Sequence, residues 1–207
     1  MIQASLQSFL DELASSAPTP GGGSAAAIMG AMGAALISMV CNVTLGKKEQ
    51  EAVAADMAAV RDESEQLRAR LTAMVAEDIA AFDGLMAAYR LPKASEEEKS
   101  RRAEAIQTNL RAATDTPLAC ARACAEIVAL SRRAGEKGFA GVISDAGVGV
   151  LTANSALRSA ALNVYINAPA LKDRAYADAA TAEIEKLLKH CAHESEAVFA
   201  LVRSRLG

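Results

Sequence analysis

From Ala25 to Leu45 the sequence AAAIMGAMGAALISMVCNVTL runs for 21 residues without a charge. The chain enters this stretch through Pro18, Pro20 and three glycines, Gly21, Gly22 and Gly23. A helix of that length reaches across a bilayer. The stretch is mostly Ala, Gly, Ser and Met, however, whereas a spanning helix draws on Leu, Ile, Val and Phe. Gly30, Gly33 and Ala34 suit a helix pressed closely against other helices, so we read a buried core or interface helix and no membrane partner. A second stretch of similar character runs from Ser144 to Asn167. Helices apolar nearly all round must be covered on every side. A chain of 207 residues could just cover one of them; covering two is easier when copies pair, which predicts a homodimer.

The remaining pattern is helical as well. Aromatic residues make up 3% of the chain and Trp is absent. Period-two runs of β-branched residues are missing, so strands have little support. Leu6, Phe9, Leu10 and Leu13 follow helical spacing and predict a short amphipathic helix over 3–15. The segment Gly46–Gln50 reads as a turn, with a glycine near the C-cap and lysines at the negative end of the helix dipole. A long helix is predicted over 49–89, stopped by Pro92. Ser95, followed by three glutamates, opens another over 96–134, with a kink at Pro117. Pro169 ends the second apolar helix, and a more polar helix covers 173–205. The expected fold is all-α: a single-domain antiparallel helical bundle over 1–207, dimeric, with two long buried helices rich in small residues.

Several function classes are disfavoured. A net charge of -3 is far from the basic balance of a nucleic-acid binder. The four cysteines lie in helical surroundings in a chain too large to need a disulfide framework, and the N-terminus lacks the features of a signal peptide. The cytoplasm is the expected location. His190 and His193, even with Cys120 and Cys124, match no zinc-binding spacing, so no metal is expected. Asn42-Val43-Thr44 resembles a glycosylation acceptor but falls in the apolar helix, and two histidines support no Ser-His-Asp arrangement.

Four features point towards chemistry. Glycines ahead of a helix can expose backbone N–H groups to an anion, or simply form a tight turn that lets helices meet. No Lys-Ser/Thr follows them, which excludes a P-loop. Lys47 and Lys48 are either solvated charges or contacts for an acidic ligand. Asp78 lies four residues from both Met74 and Phe82 and shares their inner face, so a half-buried carboxylate is expected there, while Asp83 is off that face and solvated. Asp145 is the lone charge in VISDAGVGVLTA; it, or Ser144, caps the helix, or Asp145 serves as a catalytic carboxylate. Asn163 and Asn167 are four apart and share a face, where amides can read the edge of a heterocycle. In one straight helix Asp145 and Asn163 would lie about 27 Å apart. Either Gly147 and Gly149 break the helix, or the ligand is long, or two subunits contribute.

Taken in order, APTPGGGSAAAIMGAMGAALISMV, TLGKK, RLPK, SD…V and NVYIN resemble the cyclodeaminase/cyclohydrolase family: the C-terminal domain of formiminotransferase-cyclodeaminase and its free-standing bacterial relatives. The resemblance runs from about Phe9 to the last helix. It implies an all-helical, dimeric folate enzyme that needs no separate cofactor. The positions matching the family pattern are Pro20, Gly21, Gly22, Gly23, Ser24, Gly46, Lys47, Lys48, Asp78, Asp145, Asn163 and Asn167. Ala76 and Ala80 stand where relatives can carry further carboxylates, and Arg158 and Ser159 replace small or apolar residues.

Such an enzyme either opens 5,10-methenyltetrahydrofolate with water to give 10-formyltetrahydrofolate, or releases ammonia from 5-formiminotetrahydrofolate. The sequence carries no recognisable formiminotransferase segment, which favours the cyclohydrolase. The expected assignment has Asp145 as base or cation stabiliser, with Lys48 or Asp78 moving the second proton. Pro20 to Ser24, Lys47, Asn163 and Asn167 would bind the substrate. A helical bundle that binds folate or a partner without turnover is the competing reading from another class.

Overall fold

The computed structural model describes residues 5–206, which form six α-helices joined by short turns. These are α1 (Leu6–Leu13), α2 (Gly22–Leu45), α3 (Ala54–Arg90), α4 (Glu96–Lys137), α5 (Ile143–Asn167) and α6 (Arg174–Ser204). No strand occurs among the described residues, as the composition predicts. The boundaries follow local chemistry. Ser95 accepts the Glu98 amide and Glu98 reaches back to the Ser95 amide, a capping box at the start of α4. Gly46 forms the C-cap of α2, and Asp173 caps α6 by accepting from the Tyr176 amide.

Some boundaries differ from expectation. Residues 3 and 4 lie outside the described residues, and α1 spans only Leu6–Leu13. The segment Lys48–Val53 winds as a 3-10 turn, so α3 begins five residues later than its periodicity suggests. Helix α4 continues through Pro117 to Lys137. Neither Ser144 nor Asp145 caps α5: the cap position is Val142, without a side-chain bond, and Asp145 sits within the first helical turn. A 3-10 turn over Ala140–Val142 leads directly into the helix and shifts its start upstream of the expected cap. Gly147 and Gly149 do not break α5, which is one helix from end to end.

Helix α2 lies between α3 and α5 and runs antiparallel to both. Along the α3 side Ser24 meets Asp78 and Ser38 meets Glu65. Along the α5 side the backbones nearly touch: a Cβ on Gly33 would lie 3.1 Å from the Gly149 carbonyl oxygen, and one on Gly149 would lie 2.9 Å from Ile37. Ala26, Ala34, Ala146, Ala153 and Ala156 are fully buried along these contacts. With small residues the helix axes approach closely, and dispersion contacts replace the bulk that aromatic side chains would supply. Helix α4 closes the bundle against α3 and α5, and α6 packs on α4 and α5.

The cover is incomplete. Helix α2 has a mean hydropathy of 1.9 over an 18-residue window, of which 61% is buried in the chain. Met32 is 55% exposed on α2; Val148, Leu162 and Ile166 are 50%, 67% and 75% exposed on α5. Helix α1 buries none of its residues, leaving Leu6 and Leu10 in solvent.

Candidate active site

The glycine turn and Asp78 meet at one end of the bundle. The Ser24 hydroxyl donates to Asp78 Oδ2 at 2.8 Å, and Ser24 itself is fully buried. A Cβ on Gly23 would lie 2.0 Å from Asp78 Oδ1. Glycine at 23 thus leaves the space that the carboxylate occupies against the first turn of α2. The Gly21 cap supplies no side-chain bond, so the first amides of α2 keep their positive end turned towards this corner. Pro20 is buried beside it. Gly21 and Gly22 complete the turn, with open space around the Gly22 Cα.

Asp78 opens on one side into a cavity of about 400 Å³ between α3, α4 and α5. Phe82, Leu85, Met86, Leu110 and Ile166 give it apolar walls, and Tyr89 stands at its edge. Its other polar side chains are Asn163, Asn167 and the phenol of Tyr89. The Asn163 amide nitrogen donates to the Ser159 carbonyl at 3.1 Å, and that of Asn167 donates to the Ala113 carbonyl at 2.8 Å. Each amide thus has one of its two N–H groups engaged by backbone. The Asp78 carboxylate and the two amide oxygens are left as acceptors, beside the second N–H of each amide and the Tyr89 hydroxyl. A pocket with apolar walls and convergent acceptors suits a flat, donor-rich or cationic head group. Asp78 is half-buried and Asp83 exposed, as their faces predict.

Asp145, Lys47 and Lys48 stand at the opposite pole. Thr44 at the end of α2 accepts the Phe139 amide at 2.9 Å, and the Lys47 ammonium lies 4.7 Å from the Phe139 ring centroid. Asp145 opens α5 three residues after the adjoining turn ends. Because α5 is unbroken, Asp145 and Asn163 are separated by about 27 Å of helix. Within one chain the structure joins Gly23, Ser24, Asp78, Asn163 and Asn167 and leaves Lys47, Lys48 and Asp145 apart. The sequence reading passed over the apolar walls: Leu85 and Met86 carry no signal beyond their helical spacing.

Cys41, Cys120, Cys124 and Cys191 are free and buried. Burial pushes Cys41 and Cys191 up to about 11, and a hydrogen bond donated by the Cys124 thiol to Cys120, reinforced by burial, raises Cys124 well above the ordinary thiol range. Among the described residues no group of three or more metal-ligating side chains occurs.

A family model described as Formiminotransferase-cyclodeaminase matches residues 5–186. The chain belongs to this family. Within it, the chain is 55% identical over 202 residues to the methenyltetrahydrofolate cyclohydrolase of Methylorubrum extorquens, covering 98% of this chain and 97% of that one. It is 34% identical to the formimidoyltransferase-cyclodeaminase of Sus scrofa over its whole length, which corresponds to 37% of the pig protein. Among solved structures, the formiminotetrahydrofolate cyclodeaminase of Thermotoga maritima superposes with a TM-score of 0.80 at 27% identity, over 99% of this chain and 96% of that one. The family's helical architecture is thus present along the full chain.

Proposed function

We propose that the protein is a methenyltetrahydrofolate cyclohydrolase, interconverting 5,10-methenyltetrahydrofolate and 10-formyltetrahydrofolate with water. The observation that carries this is the apolar-walled cavity holding the Asp78 carboxylate, in a chain 55% identical over 98% of its length to a methenyltetrahydrofolate cyclohydrolase. The methenyl bridge is a delocalised amidinium cation. Water adds to its carbon, one proton leaves that water, and a neutral carbinolamine forms. The N5–carbon bond then breaks as the carbinol hydroxyl gives up its proton and N5 takes one up, leaving the formyl group on N10. Asp78 is the carboxylate in the cavity, held by Ser24, and we assign it the stabilisation of the cation and the uptake of the first proton. The pterin edge has N–H donors for the oxygens of Asn163 and Asn167. No separate cofactor enters this scheme.

The site is completed in a homodimer. Val148, Leu151, Leu162 and Ile166 form one exposed apolar edge along α5, beside Met32 of α2. An antiparallel pairing of α5 with its copy, centred near Ser155, would cover that edge. It would also bring Asp145 of the partner subunit, with Lys47 and Lys48 of the partner subunit behind it, towards Asn163 and Asn167. This arrangement accounts for matching residues at both poles of one unbroken helix, and places the lysines where the acidic tail of a folate would run. Free, buried thiols suit a reducing cytoplasm.

The test is direct. Purified protein should abolish the absorbance of 5,10-methenyltetrahydrofolate much faster than buffer does, and should release no ammonia from 5-formiminotetrahydrofolate at a comparable rate. Ammonia release as the faster reaction would make the protein a cyclodeaminase. Binding without either turnover would leave a folate-binding bundle.

A further inference from the structure

Pro117 sits in the interior of α4, where proline is costly because it has no N–H to give to the carbonyl four residues earlier. That carbonyl belongs to Ala113, a residue that lines the candidate cavity. It is not left bare: the Asn167 side chain, at the end of α5, donates to it at 2.8 Å. A carbonyl can only accept, so the amide must present its nitrogen there and turn its oxygen the other way. Pro117 is itself buried and lines a small cleft with Gly23 and Asp78. A proline, a freed carbonyl and an amide thus form one chain of contacts leading to the cavity.

We infer that Pro117 is a positioning residue: by freeing the Ala113 carbonyl it fixes the orientation of Asn167, whose oxygen then accepts an N–H from the heterocyclic head of the substrate. An alanine at 117 would restore the ordinary helical bond to Ala113. Asn167 would then share that carbonyl with a backbone N–H, which weakens its anchor and loosens its orientation, while α4 itself would gain a hydrogen bond. Stability and recognition are therefore expected to move in opposite directions, which a purely structural role for Pro117 would not produce.

The inference rests on the folate reading, so turnover of 5,10-methenyltetrahydrofolate by the wild-type protein is measured first; absence of turnover overturns both. Given turnover, Pro117→Ala should keep or raise the melting temperature while KM rises about tenfold, the effect of one lost polar contact, with kcat within a few-fold of wild type. Asn167→Ala should raise KM similarly, and the double variant should be no worse than Asn167→Ala alone. An unchanged KM in a folded Pro117→Ala protein, or additive effects in the double variant, overturns the inference and leaves the folate reading standing. Should Pro117→Ala not fold, Asn167→Asp decides the matter: its carboxylate cannot donate to Ala113, so KM must rise, and an unchanged KM overturns the inference.

Discussion

Asp78 and Gly23 are best understood together. A carboxylate on an inner helix face needs a partner, and here it has the Ser24 hydroxyl and the amino end of α2. Gly23→Ala replaces a glycine in the first turn of α2, where the gain to the fold is at most about 0.5 kcal/mol, the low end of the mid-helix value. Its new Cβ would overlap Asp78 Oδ1 and push the carboxylate away, costing about 1–3 kcal/mol. The clash outweighs the gain, so the melting temperature should fall by up to about 10 °C while kcat/KM falls at least about tenfold, as a misplaced catalytic group implies. Asp78→Asn keeps the shape and removes the charge; kcat for methenyl opening should drop about 100-fold or more. A drop below about threefold in folded protein would take Asp78 out of the proton transfer. The thiols give a different residue-level expectation. With Cys41 and Cys191 near 11 and both buried, native protein should react with a thiol-specific disulfide reagent far more slowly than unfolded protein, in which all four thiols react.

At the scale of elements, the first turn of α3 is tied to the end of α4. Asp56 receives Arg133 and also lies 3.1 Å from Lys137. The hydrogen bond from Arg133, then that from Lys137, holds its carboxyl below the usual value of 3.8. A lowered folded-state value stabilises the protein above the unfolded-state value, and the benefit disappears as pH falls through the folded one. Asp56→Asn should therefore lower stability at pH 7 by about 1 kcal/mol, the scale of a partly exposed pair at a helix end. Urea titrations should show the difference shrinking progressively below about pH 3.8. A deficit that persists unchanged at pH 2 would assign the effect to packing.

For the whole molecule, the decisive feature is the apolar edge that α5 shares with α2. An antiparallel pairing centred near Ser155 would oppose Val148 to Leu162 of the partner subunit. Val148→Glu combined with Leu162→Glu places like charges against each other in that arrangement. The variant should elute as a monomer with its helical content intact, and methenyl opening should fall at least about tenfold, because Asp145 of the partner subunit is lost from the site. A monomer with full activity would show that each chain carries a complete site of its own.

Much of this protein is written locally. The glycine turn, the capping box at Ser95, the end of α2 at Gly46 and the inner face carrying Asp78 each depend on a few neighbouring residues, and helical spacing carries them. Even the separation of Asp145 from Asn163 follows from helical rise once α5 is continuous. The cap assigned to Ser144 or Asp145 failed because the preceding 3-10 turn, set by the crossing from α4 to α5, moved the helix start to Ile143. What tertiary structure alone decided is which distant residues face one another. The register of α2 on α3 brings Gly23 to Asp78, and that of α5 on α4 brings Asn167 to the carbonyl freed by Pro117. Periodicity specifies which side of a helix is buried, but a bundle of small residues can slide along its neighbours at little local cost; the pairing is fixed only by the sum of contacts across all the helices at once.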